Sequence, residues 1–180
     1  MVYIMRPGDV GRYLSELIHD WLHERKNLVG IEIGCYAGES TQVFVDSGVF
    51  GRFYCIDPWQ MGYDPDDIAG DEHIAEAEQL FDNRFKDSDI ATKVKLKSHD
   101  AVSMFEDCSI DFIYIDGNHQ YQAVKQDLTD YVPKVKSGGV IAGHDYMYKT
   151  TPGVAKAVDE FFGVQPLRRY PDCSWVYIKQ

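Results

Sequence analysis

The sequence predicts an α/β fold, a mostly parallel β-sheet with helices on both faces. Short apolar runs alternate with segments of helical periodicity along all 180 residues, an order in which helices connect neighbouring parallel strands. The last two apolar runs, 164–170 and 174–180, have only a tight turn at Pro171 and Asp172 between them. We therefore expect these two strands to pair antiparallel. The length is that of one domain, so residues 1–180 are interpreted as a single domain.

The predicted elements follow in order along the chain. Residues 9–25 carry apolar side chains at helical spacing with Asp9 as the predicted N-cap, so 1–27 form an N-terminal helical segment. The other strands are apolar runs bounded by turn residues, at 28–34, 52–59, 94–98, 110–116 and 138–146. The other helices are predicted at 38–48, 74–85, 100–107, 120–135 and 152–162.

The segment 60–78 is the longest polar interruption of this pattern. Its first part is rich in Asp, Gly and Pro, which predicts a mobile surface loop, and its position after the second strand favours a lid over a site. Acceptor specificity would normally reside in such a lid, but its residues carry no readable code. A second cation site within the acidic residues 64–73 is the alternative.

Composition and charge exclude several classes of protein. Hydrophobic residues make up 44% and charged residues 26% of the chain, which excludes a disordered or fibrous protein. The net charge of −11 repels nucleic-acid phosphates and anionic lipids, so we expect neither nucleic acid nor a membrane as a partner. No segment is apolar enough to span a bilayer or to act as a signal peptide, so the expected location is the cytoplasm. The four cysteines contain no CxxC pair, which favours neither a zinc site nor a disulfide framework.

Residues 31–41, IEIGCYAGEST, place a carboxylate and two glycines where a buried strand turns into a helix. Gly34 and Gly38 would let the backbone turn sharply and approach a ligand at the carboxyl edge of the sheet. The alternative is an ordinary strand-to-helix turn. Asp57 ends the next strand, where an acidic side chain commonly accepts hydrogen bonds from both hydroxyls of a ribose. Because the glycines follow GxxxG and not GxGxxG, a nucleoside without phosphates fits better than a dinucleotide.

Several stretches together carry a resemblance to a known family. EIGCYAGEST, CIDPW, SHDA, FIYIDGNHQY and SGGVIAGHDY resemble the class I S-adenosylmethionine-dependent methyltransferases over almost the whole chain. Within that class the chain resembles the branch of the macrocin and rhamnosyl O-methyltransferases and the cephalosporin hydroxylase-associated proteins. The hallmark of that branch, DGxHxYxxVxxDLxxxxPxLxxGGxxxxHD, reads here DGNHQYQAVKQDLTDYVPKVKSGGVIAGHD.

This resemblance implies a Rossmann-like, seven-stranded sheet whose last strand is antiparallel. It also implies S-adenosylmethionine as the cofactor, with the methionine end near the first glycine turn, the ribose at Asp57 and the adenine edge at Asp100 and Ala101. Pro58 and Trp59 would wall the adenine, although Trp59 could equally be a core residue of its loop. The implied cofactor-binding residues are Glu32, Gly34, Cys35, Gly38, Ser40, Thr41, Asp57, Pro58, Trp59, Asp100, Ala101 and Asp116.

Four polar residues follow the fourth and fifth predicted strands, and we expect them to converge because these strands are neighbours in this topology. They are Asp116, His119, His144 and Asp145. In metal-dependent members of the resembled family, the carboxylate at Asp116 and an acidic pair at 144 and 145 bind a divalent ion, usually magnesium, and the histidine at 119 is the base. The resemblance thus implies His119, Asp116 and Asp145 as catalytic residues, and Asp116, His144 and Asp145 as metal ligands.

One residue departs from the family pattern, because His144 stands where the sugar-modifying enzymes carry Glu. An imidazole ligand shifts preference from magnesium toward manganese, iron, nickel or zinc. The alternatives are weak magnesium binding through Asp116 and Asp145 alone, or catalysis without a metal. Asp116 as a simple helix cap near Gln120, and the two histidines as ordinary loop residues, are the structural alternatives.

The predicted function is S-adenosylmethionine-dependent methylation of a small molecule, at an oxygen of a sugar or related hydroxyl, with His119 removing the acceptor proton. One rival is a nicotinamide-dependent oxidoreductase, against which the missing third glycine counts. The other is a non-catalytic nucleoside-binding module. A homodimer through the apolar face of residues 10–22 is a further possibility, and packing of that face on its own sheet explains it equally well.

Overall fold

The structure is a computed structural model that describes residues 10–64, 72–147 and 149–180. The predicted cap at Asp9 and the central part of the expected lid, 65–71, lie outside the described residues. The helices are α1 (Val10–Leu22), α2 (Glu39–Asp46), α3 (Ile74–Phe85), α4 (Ser98–Ala101), α5 (Tyr121–Tyr131) and α6 (Pro152–Phe162). The strands are β1 (Leu28–Ile33), β2 (Phe50–Ile56), β3 (Ala91–Val94), β4 (Ile110–Ile115), β5 (Val135–Gly143), β6 (Arg168–Arg169) and β7 (Trp175–Ile178).

The seven strands form one sheet in the order β3-β2-β1-β4-β5-β7-β6. Strands β1 to β5 pair parallel with one another, whereas β7 runs antiparallel to both β5 and β6. The predicted α/β, Rossmann-like sheet with an antiparallel last strand is therefore confirmed. The strand order reverses between β1 and β4, and this is where an open parallel sheet leaves a crevice for a ligand.

The register of the parallel strands brings their carboxyl ends to one edge. Ile33 of β1 lies opposite Ile56 of β2 and Ile115 of β4, and Ile115 lies opposite Gly143 of β5. The residues that follow these four strands therefore meet at the same place. Every side chain that was expected to bind a ligand after β1, β2, β4 or β5 starts from this edge.

Each face of the sheet carries its own hydrophobic core. One core contains Leu17 of α1, Phe44 of α2 and Phe81 of α3, packed on aromatic residues of the strands. The other contains Leu128 of α5 and Val158 of α6, packed on the isoleucines of β1, β4 and β5. Helices thus cover both faces, as predicted. In β4, Ile113 and Ile115 face one core while Phe112 and Tyr114 face the other, because successive side chains of a strand point to opposite faces.

Helix α1 buries its apolar face within its own chain. Leu14, Leu17 and Leu22 are almost completely inaccessible to solvent and belong to the first core. Intrachain packing therefore accounts for the amphipathic pattern, which gives no support to a dimer interface there. Among the described residues, no helix combines the length and the apolar character that crossing a membrane requires.

Some predicted boundaries differ from the structure. The third strand, expected at 94–98, lies at Ala91–Val94, and the sixth, expected at 164–170, is reduced to Arg168–Arg169. The helix expected at 100–107 is the short α4, continued by a 3-10 turn at Val102–Met104. The alternation of apolar and charged residues in ATKVKLKS continues past the last residue that pairs with β2, so periodicity alone does not mark where this edge strand ends.

Candidate active site

A cavity of about 350 Å³ opens at the carboxyl edge of the sheet, where the strand order reverses between the neighbouring strands β1 and β4. Its wall comes from the loops after β1, β2, β4 and β5 and from the start of α4. The residues that line it include Gly34, Cys35, Ser40, Asp57, Pro58, Tyr63, Asp64, Ser98, Asp116, Asn118, His119, His144, Asp145 and Thr151. Many of the residues predicted to form the site are therefore together.

The turn after β1 is built on two glycines in the left-handed region. Gly34 has φ +86°, and a Cβ there would lie 2.1 Å from the carbonyl oxygen of Asp116, so only glycine lets β1 and β4 approach this closely. Gly38 has φ +82° at the start of α2, and a Cβ there would lie 2.6 Å from the ring of Phe85. Gly34 lines the cavity, whereas Gly38 serves the packing of α2 against α3.

Glu32 does not face the cavity. Its carboxylate is completely buried and accepts hydrogen bonds from Ser40, at 2.5 Å, and from Thr41. Both hydroxyls belong to the first turn of α2, so Glu32 fixes the start of that helix to the end of β1. Of these three residues only Ser40 lines the cavity. The structure thus places Glu32 and Thr41 behind the wall that was predicted to contain them.

Asp57 also holds the first glycine turn in place. Its Oδ2 accepts the backbone N–H groups of Cys35 and Tyr36, each at 2.9 Å, and its Oδ1 accepts that of Trp59 at 2.7 Å. Burial raises the pKa of Asp57, and these three N–H groups oppose that rise. A carboxylate offers about four acceptor positions. Asp57 therefore has about one position left for a ribose hydroxyl, and not the two that were expected.

Trp59 is a core residue and not a cavity wall. Its indole N–H donates to the carbonyl oxygen of Tyr36 at 2.8 Å, and its ring packs on Phe81 and under the ammonium group of Lys93. Pro58 does line the cavity, together with Gln60. Pro58 is thus at the cavity wall and its contact with the adenine stays a prediction, whereas the packing of Trp59 is that of its core alternative.

After β3, the residue that lines the cavity is Ser98, and not the expected Asp100 or Ala101. Asp100 is exposed and Ala101 is buried in the core, and neither lines the cavity. The hydroxyl of Ser98 lies at the cavity wall and donates to buried Asp127 of α5 at 2.5 Å. Because β3 ends at Val94, earlier than expected, the first residue of α4 reaches the cavity and its third residue turns outward.

An acid–histidine cluster lies at the carboxyl ends of β4 and β5. Asp116 and His119 follow β4, His144 and Asp145 follow β5, and Asp64 joins them from the segment after β2. Nε2 of His119 lies 2.8 Å from Oδ2 of Asp145, and Nδ1 of His144 lies 3.0 Å from the same oxygen and 3.5 Å from Oδ1 of Asp116. All five side chains are less than one-fifth exposed. The expected convergence of the four predicted residues is what the structure shows.

The contacts within this cluster set the charges of its members. Burial alone would lower the pKa of His119, but hydrogen bonds to Asp145 and Asp64 outweigh it and raise the pKa to about 11. Burial would raise the pKa of Asp145, but hydrogen bonds from His119 and His144 hold it well below its usual range. His119 is therefore a cation between two carboxylates at neutral pH in this arrangement.

Asp116, His144 and Asp145 could hold a metal ion. They each offer a ligand atom, and these atoms lie within 4.8 Å of one another, the one such group among the described residues. Two carboxylate oxygens and one imidazole nitrogen suit a first-row divalent ion such as Mn²⁺ better than Mg²⁺. Asp145 reaches this group from a left-handed backbone conformation, φ +58°, which is uncommon for a residue other than glycine.

Sequence reasoning missed Asp64 as a partner of the cluster. Oδ2 of Asp64 lies 2.7 Å from Nδ1 of His119, although 55 residues separate the two in the chain. It stood in the acidic segment that was interpreted as a lid. Nothing local marked it, because its partner comes from another strand end and is only revealed by the sheet topology.

The geometry agrees with comparisons to known proteins. A family model described as a methyltransferase domain matches residues 31–146, which span β1 to the end of the cluster. A curated protein of Acanthamoeba polyphaga mimivirus, described as uncharacterized, is 32% identical over 145 residues, covering 76% of this chain and 60% of that protein. A second, from Sinorhizobium fredii, is 24% identical over 93% of this chain and only 18% of its own length. The chain thus spans less than two thirds of either relative.

Solved structures share the fold at low sequence identity. The calicheamicin methyltransferase CalS11 matches with a TM-score of 0.70 and 15% identity over 98% of this chain and 80% of its own. The O-methyltransferase NovP matches with a TM-score of 0.66 and 18% identity over 94% and 79%. SMU.1697c of Streptococcus mutans, solved in complex with SAH, matches with a TM-score of 0.61 and 15% identity over 89% and 93%.

The chain belongs to the methyltransferase domain family, because that model covers more than half of its length. The resemblance to the methyltransferases that the sequence predicts is confirmed by this family match, and the solved methyltransferase structures share the fold of the chain. This family match counts against the nicotinamide-dependent oxidoreductase, whereas only a turnover measurement separates an enzyme from a non-catalytic nucleoside-binding module.

Proposed function

We propose that this methyltransferase acts on a hydroxyl group of a small molecule. The observation that carries the proposal is the acid–histidine cluster, whose members Asp116, His119, His144 and Asp145 all line the cavity. An aliphatic hydroxyl is a poor nucleophile that benefits from a positioned base or a divalent ion. Carboxylates and imidazoles at the cavity wall are the groups that supply such help.

The cavity fits S-adenosylmethionine in the chemistry of its lining. Ser40 lies in the first turn of α2, where backbone N–H groups and the helix dipole favour a carboxylate such as that of methionine, and Gly34 and Cys35 lie in the turn that leads from β1 to this helix. Asp57 would accept one ribose hydroxyl, and Ser98 stands where the adenine edge was expected. When bound, the cofactor supplies a methyl group on a sulfonium centre.

The donor set formed by Asp116, His144 and Asp145 fits a divalent ion, for which we propose Mn²⁺ ahead of Mg²⁺. The cluster brings three aspartate side chains, with Asp64 included, next to two histidines, so it offers several carboxylate oxygens to a cation. A divalent ion held there supplies positive charge next to the acceptor hydroxyl and favours its deprotonation. Asp116 and Asp145 would in addition orient the acceptor.

His119 is the proposed base, and its contacts with two carboxylates mean that it must lose a proton before it can act. Flanked by Asp64 and Asp145 it holds a proton at neutral pH, so it can accept another only after losing this one. Engagement of Asp145 by the acceptor or by a divalent ion would remove one of the two stabilising carboxylates. His119 then becomes a better match to neutral pH.

A sugar hydroxyl is the proposed acceptor. CalS11 is described as a TDP-rhamnose 3'-O-methyltransferase, and it shares the fold of this chain at 15% identity. That likeness supports a sugar only as a starting class of compounds to assay. The net charge of −11 supports a small molecule rather than a nucleic acid as the acceptor.

A methyl-transfer assay with labelled cofactor and a panel of nucleotide sugars, with and without Mn²⁺, tests the proposal. We expect turnover with at least one hydroxyl acceptor, and we expect His119→Ala to lower kcat by about 100-fold or more while cofactor affinity stays within a fewfold. His99→Ala is the matched control, because His99 is exposed and pairs with Asp130 away from the cavity. Full turnover in His119→Ala would remove His119 from the mechanism.

A further inference from the structure

We propose that Asp64 is a positioning residue that sets the orientation and the hydrogen-bonding pattern of the His119 ring. The proposal rests on the proposed function of His119 in methyl transfer. Asp64 does not belong to the group of potential metal ligands, and its carboxylate meets the ring on the side opposite to Asp145. Its role is therefore separate from that of the residues at the metal donor set.

One oxygen of Asp64 binds His119 at two points. Oδ2 accepts the backbone N–H of His119 at 3.0 Å and contacts the ring Nδ1 at 2.7 Å. A side chain held to the same acceptor by its backbone and its ring has little freedom to rotate about either side-chain torsion. Asp64 thus fixes both the backbone position of His119 and the orientation of its ring.

A second contact anchors the segment that carries Asp64. Nδ2 of Asn118 donates to the carbonyl oxygen of Tyr63 at 2.6 Å, while Oδ1 of Asn118 accepts the N–H of Gln120 at 2.9 Å. Residues 63–64 are therefore docked onto residues 118–119 through adjacent pairs. Asp64 is less than one-fifth exposed, so this contact is not an ordinary surface ion pair.

The consequence concerns the two ring nitrogens of His119. With Nδ1 committed to Asp64, the nitrogen that contacts Asp145 is Nε2. Without Asp64, the ring could rotate or exchange the roles of its two nitrogens. A carboxylate behind a functional histidine commonly sets ring orientation in this way, and its loss typically costs about 10- to 100-fold in activity.

Two variants and one control test the proposal. We expect Asp64→Ala and Asp64→Asn to lower kcat about 10- to 100-fold, while affinity for S-adenosylhomocysteine changes less than about threefold. Asp64→Glu should restore part of the loss, because it returns a carboxylate near the same place. Asp87→Ala, which removes an exposed carboxylate outside the cavity, should leave kcat unchanged.

A spectroscopic readout separates positioning from simple structural support. In nitrogen-15 NMR of the ligand-free protein, we expect the Nδ1 signal of His119 to shift in Asp64→Ala and in Asp64→Asn, at unchanged melting temperature. Unchanged ring signals, or a loss of kcat accompanied by an equal loss of cofactor affinity and folding, would overturn the proposal.

The NMR readout also keeps two failures apart. It needs no acceptor and no turnover, so it tests the pair by itself. If the wild-type protein transfers no methyl group to any hydroxyl while the ring signals respond to Asp64 as expected, the proposed function is wrong and the pair of Asp64 and His119 stands. If turnover is present but indifferent to Asp64, the positioning role is wrong and the proposed function stands.

Discussion

At the scale of single residues, Gly34 has the least tolerance for change. Its φ of +86° disfavours any side chain, and a Cβ would lie 2.1 Å from the carbonyl oxygen of Asp116, a backbone atom that cannot move aside. We expect Gly34→Ala to lower the free energy of unfolding by more than about 2 kcal/mol and to weaken cofactor binding. Urea denaturation and calorimetric titration with S-adenosylmethionine measure the two effects.

Gly48 provides the matched control for Gly34. It also lies in the left-handed region, at φ +68°, but a Cβ there would meet nothing within 4 Å. Gly48→Ala should therefore cost only the backbone strain, about 1 kcal/mol, and leave cofactor affinity intact. Equal losses in the two variants would show that the close approach of β1 to β4 contributes nothing of its own.

The residue scale also shows what sequence reasoning can and cannot reach. Asp116, His119, His144 and Asp145 were predictable because each follows a strand, and parallel strands bring such positions to one edge. Asp64 was not predictable, because its loop position depends on the path between β2 and α3. The three hydrogen bonds that Asp57 accepts from backbone N–H groups were not predictable either, because they depend on the conformation of two loops.

At the scale of elements, the contact between α4 and α5 places a buried acid behind the cavity wall. Asp127 of α5 is 4% exposed and accepts a hydrogen bond from Ser98. Burial raises the pKa of Asp127 to about 7, far above the usual value for an aspartate. The folded protein therefore holds a proton here that the unfolded chain releases near pH 4.

This elevated pKa gives the stability of the protein a pH dependence with a definite sign. Because the folded state binds the proton more tightly, the free energy of unfolding should fall as pH rises from about 4 to about 7, through this group. Asp127→Asn keeps the acceptor for Ser98 and removes the titration. We expect it to raise the free energy of unfolding at pH 8 by about 2 kcal/mol and to change it little at pH 4.

Urea denaturation at pH 4 and pH 8 measures the effect. Asp87→Asn, at an exposed carboxylate, is the control and should shift neither curve. A stabilisation of Asp127→Asn that is equal at both pH values would show that the pKa of Asp127 is not raised in the folded state.

The boundary of β3 explains why the residue that lines the cavity after this strand differs from the predicted one. The order and type of the helices and the five parallel strands followed from hydrophobic periodicity, since each buries one face or both. The end of β3 did not, because this strand lies at the edge of the sheet and its alternating pattern continues beyond its pairing with β2. As a result Ser98 lines the cavity, whereas Asp100, the residue expected near the adenine edge, does not.

At the scale of the whole molecule, ligand binding should be visible as stability. A ligand that binds only the folded state adds about 2.7 kcal/mol at 100 times its dissociation constant. For a domain of this size that amounts to a rise in Tm of roughly 5 to 10 °C. We expect S-adenosylmethionine and its demethylated product to produce this rise and NAD to produce none.

The same measurement addresses the proposed ion. After chelator treatment, Mn²⁺ should raise Tm at lower concentration than Mg²⁺ does, because His144 contributes a nitrogen donor. Differential scanning fluorimetry with both ions, in the presence and absence of the cofactor, is sufficient. A response to NAD, or a preference for Mg²⁺, would contradict the respective assignment.

Strand β7 has a consequence for how the site is assembled. It lies between β5 and β6, opposite Gly143 through Trp175, and the indole N–H of Trp175 donates to the carbonyl oxygen of His144. The N–H of Tyr146 donates to the carbonyl oxygen of Cys173. Residues 173–175 thus clamp the loop that carries two of the three potential metal ligands. Local opening of β7 would therefore loosen His144 and Asp145 while the turns after β1 and β2 stay in place, because those turns make none of these contacts.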